Sequence, residues 1–130
     1  MKNRATAIII RNARLLLMHR QKSGRNYYIL PGGNVEWEES FEEACIREVK
    51  EETGLNVLAL QLVRKYITLD RVENYFIARV SPGEPVLGGP EAQRQSPQDQ
   101  YGFEWVDAVR LEEVNLLPVS ARSICLEALR

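Results

Sequence analysis

The segment Pro31–Leu55, PGGNVEWEESFEEACIREVKEETGL, decides the fold because both ends of one helix can be read directly in it. Ser40 followed three residues later by Glu43 is a capping-box pattern, which is typical of a helix start. Gly54 stands where a helix often ends in a left-handed residue. The spacing therefore predicts a helix from about Phe41 to Thr53.

This predicted helix carries clustered negative charge in a chain whose formal net charge is only −1. Glu48, Glu51 and Glu52 are spaced i, i+3 and i+4, so their carboxylates share one face and repel each other by a few tenths of a kcal/mol per pair. A divalent cation such as Mg²⁺ would offset that repulsion, since it is commonly held by a few carboxylates together with substrate phosphates. The alternative interpretation is a solvated acidic face on a surface helix.

The tripeptide Pro31-Gly32-Gly33 lies just upstream of the helix. A proline followed by two glycines is expected to interrupt regular structure and to let the backbone approach a bound group closely. We expect this turn to contribute a backbone carbonyl to a metal or to approach a phosphate.

Length and composition indicate one ordinary globular domain over residues 1–130. Hydrophobic residues make up 45% and charged residues 27% of the chain, which is the composition of a folded protein. The near-zero net charge does not indicate a nucleic acid partner. Cys45 and Cys125 are far apart, so we expect two reduced, buried thiols rather than a disulfide or a metal pair.

The N-terminal apolar run breaks at Arg11 and Asn12, before it could form a signal peptide core or a membrane span. We therefore expect a cytoplasmic protein that does not enter a membrane. A homodimer is compatible with this sequence, which does not decide the oligomeric state.

The remaining chain predicts a mixed sheet covered by helices. Two β-hairpins are indicated by ATAIII with ARLLLMHR and by NVLALQLVRKYITL with VENYFIARV, and NYYIL and YGFEWVDA read as further strands. Residues 81–100 are rich in proline and glycine and read as a long loop. The last twelve residues have the spacing of an amphipathic helix. The order β-β-β-α-β-β-loop-β-α favours an α/β/α sandwich around a mixed sheet.

From Gly33 the chain reads Gly, five residues, Glu39, seven residues, and then REVKEETGL from Arg47 to Leu55. This pattern, from Gly33 to Leu55, is called the box below. It resembles the signature of the Nudix hydrolases at every fixed position, and the order of elements resembles their compact MutT-like members. The resemblance implies a Nudix fold. It also implies hydrolysis of a nucleoside diphosphate linked to another moiety, with Mg²⁺ or Mn²⁺ bound at the glutamates of this box.

The resemblance also implies a role for each matching residue. The metal ligands would be Glu48, Glu51 and Glu52, with the Gly32 carbonyl as a further ligand. Arg47 would pair with the glutamates and orient them, and Glu39 would support the site or contact substrate. Gly33 would serve the backbone geometry next to the substrate.

The general base is left open by the sequence. Glu48 and Glu51 are candidates within the box, which makes them catalytic candidates together with Arg47. Outside it, Asp99 in the predicted loop is a candidate for contact with the substrate or for the base, and Glu91 is its rival. An ordinary solvated carboxylate is an equally good interpretation of both loop residues.

Substrate choice is not decided by the box. The markers associated with ADP-ribose, dinucleoside polyphosphate and NADH hydrolases are missing, so a nucleoside triphosphate or a related small nucleotide remains by elimination. A non-catalytic nucleotide-binding or regulatory Nudix-like domain is the alternative, although such domains usually lose box glutamates and this chain keeps all of them.

Overall fold

The computed structural model describes the backbone of residues 1–130 and the side chains of all of them except residues 90 and 91. Across this described part, the chain forms seven strands and four helices. The strands are β1 (Lys2–Arg11), β2 (Arg14–Lys22), β3 (Arg25–Ile29), β4 (Gly32–Asn34), β5 (Val57–Ile67), β6 (Arg71–Val80) and β7 (Asp99–Val106). The helices are α1 (Phe41–Thr53), α2 (Gly89–Gln93), α3 (Ala108–Glu113) and α4 (Ala121–Ala128).

Strand β1 lies at the centre of a mixed sheet of order β3-β2-β1-β6-β5. It pairs parallel with β6 and antiparallel with β2 at its end and with β4 near its start. Strand β7 pairs antiparallel with β2. Because β1 is covered on both faces, its residues form a continuous apolar run rather than an alternating one.

Neighbouring residues of the central strands belong to different cores. Ile8 and Tyr75 pack in a cluster with Ile124 of α4, whereas Ile9 and Phe76 pack in a second cluster with Val49 of α1. Side chains alternate across a strand, so the two clusters lie on opposite faces of the sheet. The predicted α/β/α sandwich is confirmed.

The predicted bounds of α1 are confirmed at both ends. Ser40 Oγ accepts a hydrogen bond from the Glu43 N–H at 3.0 Å, and Glu43 Oε1 accepts one from the Ser40 N–H at 2.9 Å. Gly54 ends the helix with φ 75°. The helix therefore holds its carboxylates on a rigid element with both ends fixed.

Three parts of the sequence prediction are wrong in detail. The chain leaves regular structure at Leu30 and Pro31 as predicted, but the two glycines do not continue the turn, because Gly32–Asn34 forms β4 against β1. The predicted loop 81–100 contains α2 and the first residues of β7, so Asp99 lies in a strand. Helix α3 was not predicted, since six residues are too few to show a helical period.

Cys45 and Cys125 are free and buried, as predicted. Burial raises the pKa of each thiol to about 12, so both stay protonated at neutral pH. Within the described residues, no helix has the length and apolar character needed to cross a membrane.

Candidate active site

Arg47 contacts every carboxylate of one acidic cluster, called the box cluster below, which consists of Glu36, Glu39, Glu48 and Glu51. Its Nη1 donates to Glu48 Oε1 at 2.8 Å and to Glu51 Oε2 at 3.4 Å. The same nitrogen lies 3.6 Å from Glu36 Oε1, and Nη2 donates to the Asn34 carbonyl at 3.0 Å. One guanidinium thus joins α1 to the segment that precedes it and brings two box carboxylates to one nitrogen.

Glu39 accepts hydrogen bonds from the other edge of this guanidinium. Arg47 Nε and Nη2 donate to the two oxygens of Glu39 at 2.7 and 2.9 Å, which is a bidentate pair. The Glu36 N–H also donates to Glu39 at 2.9 Å. These bonds from Arg47 and from the backbone lower the pKa of Glu39 to about 2, so Glu39 remains ionised and keeps Arg47 in place.

Gly33 provides the surface on which the Glu48 carboxylate rests. A Cβ added at Gly33 would lie 2.5 Å from both Cδ and Oε1 of Glu48. Only glycine leaves room for the carboxylate at this point, which explains in steric terms why the box begins with Gly33.

Glu52 faces the preceding glycine and is only 6% exposed. The Gly32 N–H donates to Glu52 Oε1 at 3.1 Å. The structure therefore brings Gly32 and Glu52 together through the Gly32 amide, while a ligand role for the Gly32 carbonyl stays a prediction. Helix α1 and strand β4 together hold the Glu48 and Glu52 carboxylates beside the two glycines.

The donor set fits a divalent cation of the Mg²⁺ class. Carboxylate oxygens are hard donors, and Arg47 supplies one positive charge against four nearby carboxylates. Among the described residues, no three His, Cys, Asp or Glu side chains are grouped so that they could hold a metal ion by themselves. Mg²⁺ usually keeps several waters and shares its shell with substrate phosphates, so it needs fewer protein ligands.

Asp99 has its charged partner outside this cluster. It lies opposite Lys22 in the β2–β7 pairing and forms an ion pair with Arg20 at 3.4 Å. A role for Asp99 in catalysis or binding stays a prediction, and the side chain of its rival Glu91 lies outside the described residues.

A second charged cluster contains none of the site residues predicted from the sequence. Glu73 of β6 is buried at 4% exposure, and Thr6 Oγ1 donates to it at 2.6 Å. Arg4 and Arg71 lie 3.5 and 3.8 Å from its two oxygens. The signal in the sequence was a glutamate inside the apolar strand VENYFIARV.

The comparison of the sequence with known protein families is consistent with this geometry. The family model for the NUDIX domain matches residues 1–125. The chain belongs to the Nudix family. Nudix proteins are hydrolases that act on pyrophosphate bonds, and divalent metals are general among them.

Two curated Nudix relatives and one solved structure illustrate the match. A Bacillus subtilis (strain 168) protein provisionally named 8-oxo-dGTP diphosphatase is 32% identical over 111 residues, which cover 75% of this chain and 66% of that protein. An ADP-ribose pyrophosphatase of Methanocaldococcus jannaschii is 42% identical over 83 residues, 63% of this chain and 49% of that one. The chain thus spans less than two thirds of either relative.

The crystal structure of a MutT NUDIX hydrolase from Burkholderia pseudomallei superposes with a TM-score of 0.69 at 27% identity. The alignment covers 97% of this chain and 95% of that one. The Nudix fold therefore extends over nearly the whole chain.

Proposed function

We propose that residues 1–130 act as a single divalent-metal-dependent Nudix pyrophosphohydrolase domain. The substrate is a nucleoside diphosphate linked to another group, and a nucleoside triphosphate is the first candidate. One observation carries this proposal: Glu48 and Glu51 meet at a single nitrogen of Arg47, while Glu48 and Glu52 rest on Gly33 and Gly32. This arrangement offers carboxylate oxygens to a cation beside a backbone that a phosphate can approach.

The reaction proposed is attack of water on phosphorus. The new bond joins the water oxygen to phosphorus, and the bond from phosphorus to the bridging oxygen breaks. The proton of the attacking water passes to a carboxylate, and Glu48 and Glu51 are the two box residues placed for this step. Bound Mg²⁺ or Mn²⁺ would polarise the phosphoryl oxygens at Glu48, Glu51 and Glu52.

Glu48 and Glu51 differ in their surroundings. The Glu48 side chain is 15% exposed and covered by Arg47 and Gly33, whereas that of Glu51 is 51% exposed. Rates of Glu48→Gln and Glu51→Gln as a function of pH identify the base, because loss of the base removes the acidic limb of the profile. Loss of a metal ligand alone raises the metal requirement instead.

The similar proteins support a nucleotide substrate without deciding which one. One relative is provisionally named for 8-oxo-dGTP and another for ADP-ribose. A first assay should therefore measure phosphate and pyrophosphate release from nucleoside triphosphates, ADP-ribose, dinucleoside polyphosphates and nucleotide sugars, with Mg²⁺, Mn²⁺ or EDTA.

Glu52→Gln is the decisive variant. We expect it to abolish turnover without loss of the fold, because Glu52 is one of the three proposed metal ligands. Glu42→Gln is the matched control, since Glu42 lies on the same helix but outside the box, and it should leave turnover unchanged. Full activity of Glu52→Gln would refute the assigned role, and nucleotide binding without any hydrolysis would favour the regulatory alternative.

A cytoplasmic location is also part of this proposal. Its support is the pair of free, buried cysteines, which suits a reducing compartment.

A further inference from the structure

A charged cavity of about 190 Å³ lies on the α4 side of the sheet, next to β4. Its lining includes Arg4, Thr6, Leu30, Arg71, Glu73 and Tyr75. A neighbouring cavity of about 270 Å³ shares Arg71 and Glu73 with it. Together they reach the size of ordinary small-molecule sites, roughly 300 to 1,000 Å³.

The cavity is joined to the box by strand pairing. Thr6, which lines the cavity, lies directly opposite Gly32 in the β1–β4 pairing, and Leu30 leads into Pro31 and Gly32. Glu73 lies on β6, two interstrand spacings from β4, which is about 10 Å. Helix α1 lies on the opposite face of the sheet from this cavity, and the two sites meet at β4, where the Gly32 N–H donates to Glu52. A nucleotide that binds around β4 would place its phosphates at the box and its base in this cavity.

Glu73 forms the floor of the cavity and the arginines lie nearer its mouth. The Glu73 side chain is 5% exposed, whereas those of Arg4 and Arg71 are 31% and 41% exposed. Burial of a carboxylate is costly unless it is paired and hydrogen-bonded. Thr6 gives Glu73 one short bond, and Tyr75 also hydrogen-bonds to it through its side chain. Both arginines lie beyond 3.4 Å, and a carboxylate can accept about four hydrogen bonds, so Glu73 keeps capacity for two more.

A purely structural ion pair would not explain why two arginines flank one carboxylate beside a cavity. Arg4 and Glu73 are cross-strand partners, so their contact can join β1 to β6. A buried ion pair is often no more stabilising than apolar residues of the same volume, however, and one pair needs no second arginine. Two guanidinium groups and one carboxylate around an open cavity are suited to a ligand that both donates and accepts hydrogen bonds.

We propose that Glu73 determines base specificity by accepting two hydrogen bonds from a guanine-type base. This inference rests on the proposed function, since it assigns the base of the same substrate. Guanine carries a ring N–H and an amino group side by side, which match the two oxygens of one carboxylate. Adenine and cytosine offer a single amino group there, and hypoxanthine has the ring N–H without the amino group.

The arginines complete the match. Arginine is the usual partner of the guanine O6 and N7 acceptors. Arg4 and Arg71 flank Glu73 and are exposed enough to move toward a base. The cavity therefore offers acceptors at its floor and donors at its mouth, as the guanine edge requires.

The first test needs no variant. We expect kcat/KM for GTP to exceed that for ITP, which lacks only the amino group, by roughly 5- to 150-fold, the range for one well-formed base contact. ATP should be poorer than GTP by at least as much. Rates for GTP and ITP within about twofold would overturn the proposal.

Glu73→Gln separates specificity from a structural role. We expect the GTP/ITP ratio to fall to near unity, mainly through KM for GTP. The fold should be retained in circular dichroism, although the melting temperature falls because a buried ion pair loses one charge. Glu104→Gln is the control, because Glu104 is also a paired carboxylate but lies outside the cavity. An equal loss for GTP and ITP in Glu73→Gln would show a structural role and overturn the proposal.

Binding without turnover keeps this inference separate from the proposed function. Calorimetric titration of the wild-type protein with GTP and with ITP in EDTA reports base recognition even if no nucleotide is hydrolysed. Tighter binding of GTP that is lost in Glu73→Gln supports the role of Glu73. Equal affinities for GTP and ITP would overturn it.

Discussion

Two arginine–glutamate clusters on this protein have opposite charge ratios. In the box, one guanidinium, Arg47, contacts four carboxylates. In the cavity, Arg4 and Arg71 flank the single carboxylate of Glu73. The first cluster carries excess negative charge and suits a cation, while the second carries excess positive charge and suits a polar ligand. The ratio of the two residue types is therefore more informative than their presence.

A third cluster, between Arg110 and Glu104, shows the balanced case. Arg110 Nε donates to Glu104 at 2.8 Å, and the Tyr28 hydroxyl donates to the same carboxylate at 2.8 Å. The hydrogen bond from Arg110 lowers the pKa of Glu104. One charge of each sign leaves no excess for a ligand, so this cluster serves as an internal control for the other two.

Gly33→Ala in the box is expected to lower activity more than the other substitutions that distinguish the two clusters. The new Cβ would lie 2.5 Å from the Glu48 carboxylate, which is the flexible end of a side chain and can move. The fold should therefore persist while Glu48 is displaced, and a shift of about 1 Å costs roughly 100-fold in rate.

The measurement for Gly33→Ala is kcat/KM together with thermal unfolding. Gly102→Ala is the matched control, because a Cβ at Gly102 would meet no atom within 4 Å. Equal activity of the two alanine variants would contradict the packing of Glu48 on Gly33.

A smaller effect is expected from Arg47→Met, which removes the only cation of the box cluster. The carboxylates then repel each other, and the pKa of Glu39, which Arg47 lowers, should rise toward its ordinary value. Loss of such a supporting group costs about 10- to 100-fold in activity or metal affinity. Arg47→Lys should restore part of the loss, because it returns the charge without the bidentate geometry.

Arg110→Met tests the balanced cluster in the same assay. We expect turnover within about twofold of the wild type, as for surface substitutions away from a site. A loss as large as that of Arg47→Met would show that the charge ratio does not distinguish the clusters.

The smallest effect concerns stability at acid pH. The Glu39 pKa is lowered from its ordinary value near 4.5 to about 2. A lowered pKa contributes stability above the unfolded value, and this contribution is lost as the pH falls toward 2. The free energy of unfolding of the wild type and of Glu39→Gln should therefore differ above pH 5 and converge toward pH 2. Parallel urea-unfolding results across that range would contradict the Arg47–Glu39 pairing.

Helix α1 could be predicted to the residue because its signals are local. The Ser40–Glu43 capping box and Gly54 act over three or four residues, so they are visible in the sequence. The box residues Glu39, Arg47, Glu48, Glu51 and Glu52 came from a family pattern, and their mutual contacts agree with it.

The parts that were missed depend on distant contacts. Gly32 was interpreted as a turn residue, yet it lets β4 approach β1 so closely that a Cβ would lie 2.4 Å from the Ala5 carbonyl oxygen. Thr6 and Glu73 are 67 residues apart in the chain and become neighbours only through the parallel pairing of β1 and β6. No local pattern could have given either contact.

The parallel pairing of β1 with β6 also has a consequence for biosynthesis. Strand β1 leaves the ribosome about 70 residues before β6, which corresponds to roughly 4 to 14 seconds at usual elongation rates. During that interval the apolar run ATAIII lacks its parallel partner and half of its covering layers. Chaperone contact with the nascent chain should therefore concentrate on β1, fall once residue 80 has emerged and end after α4 has followed.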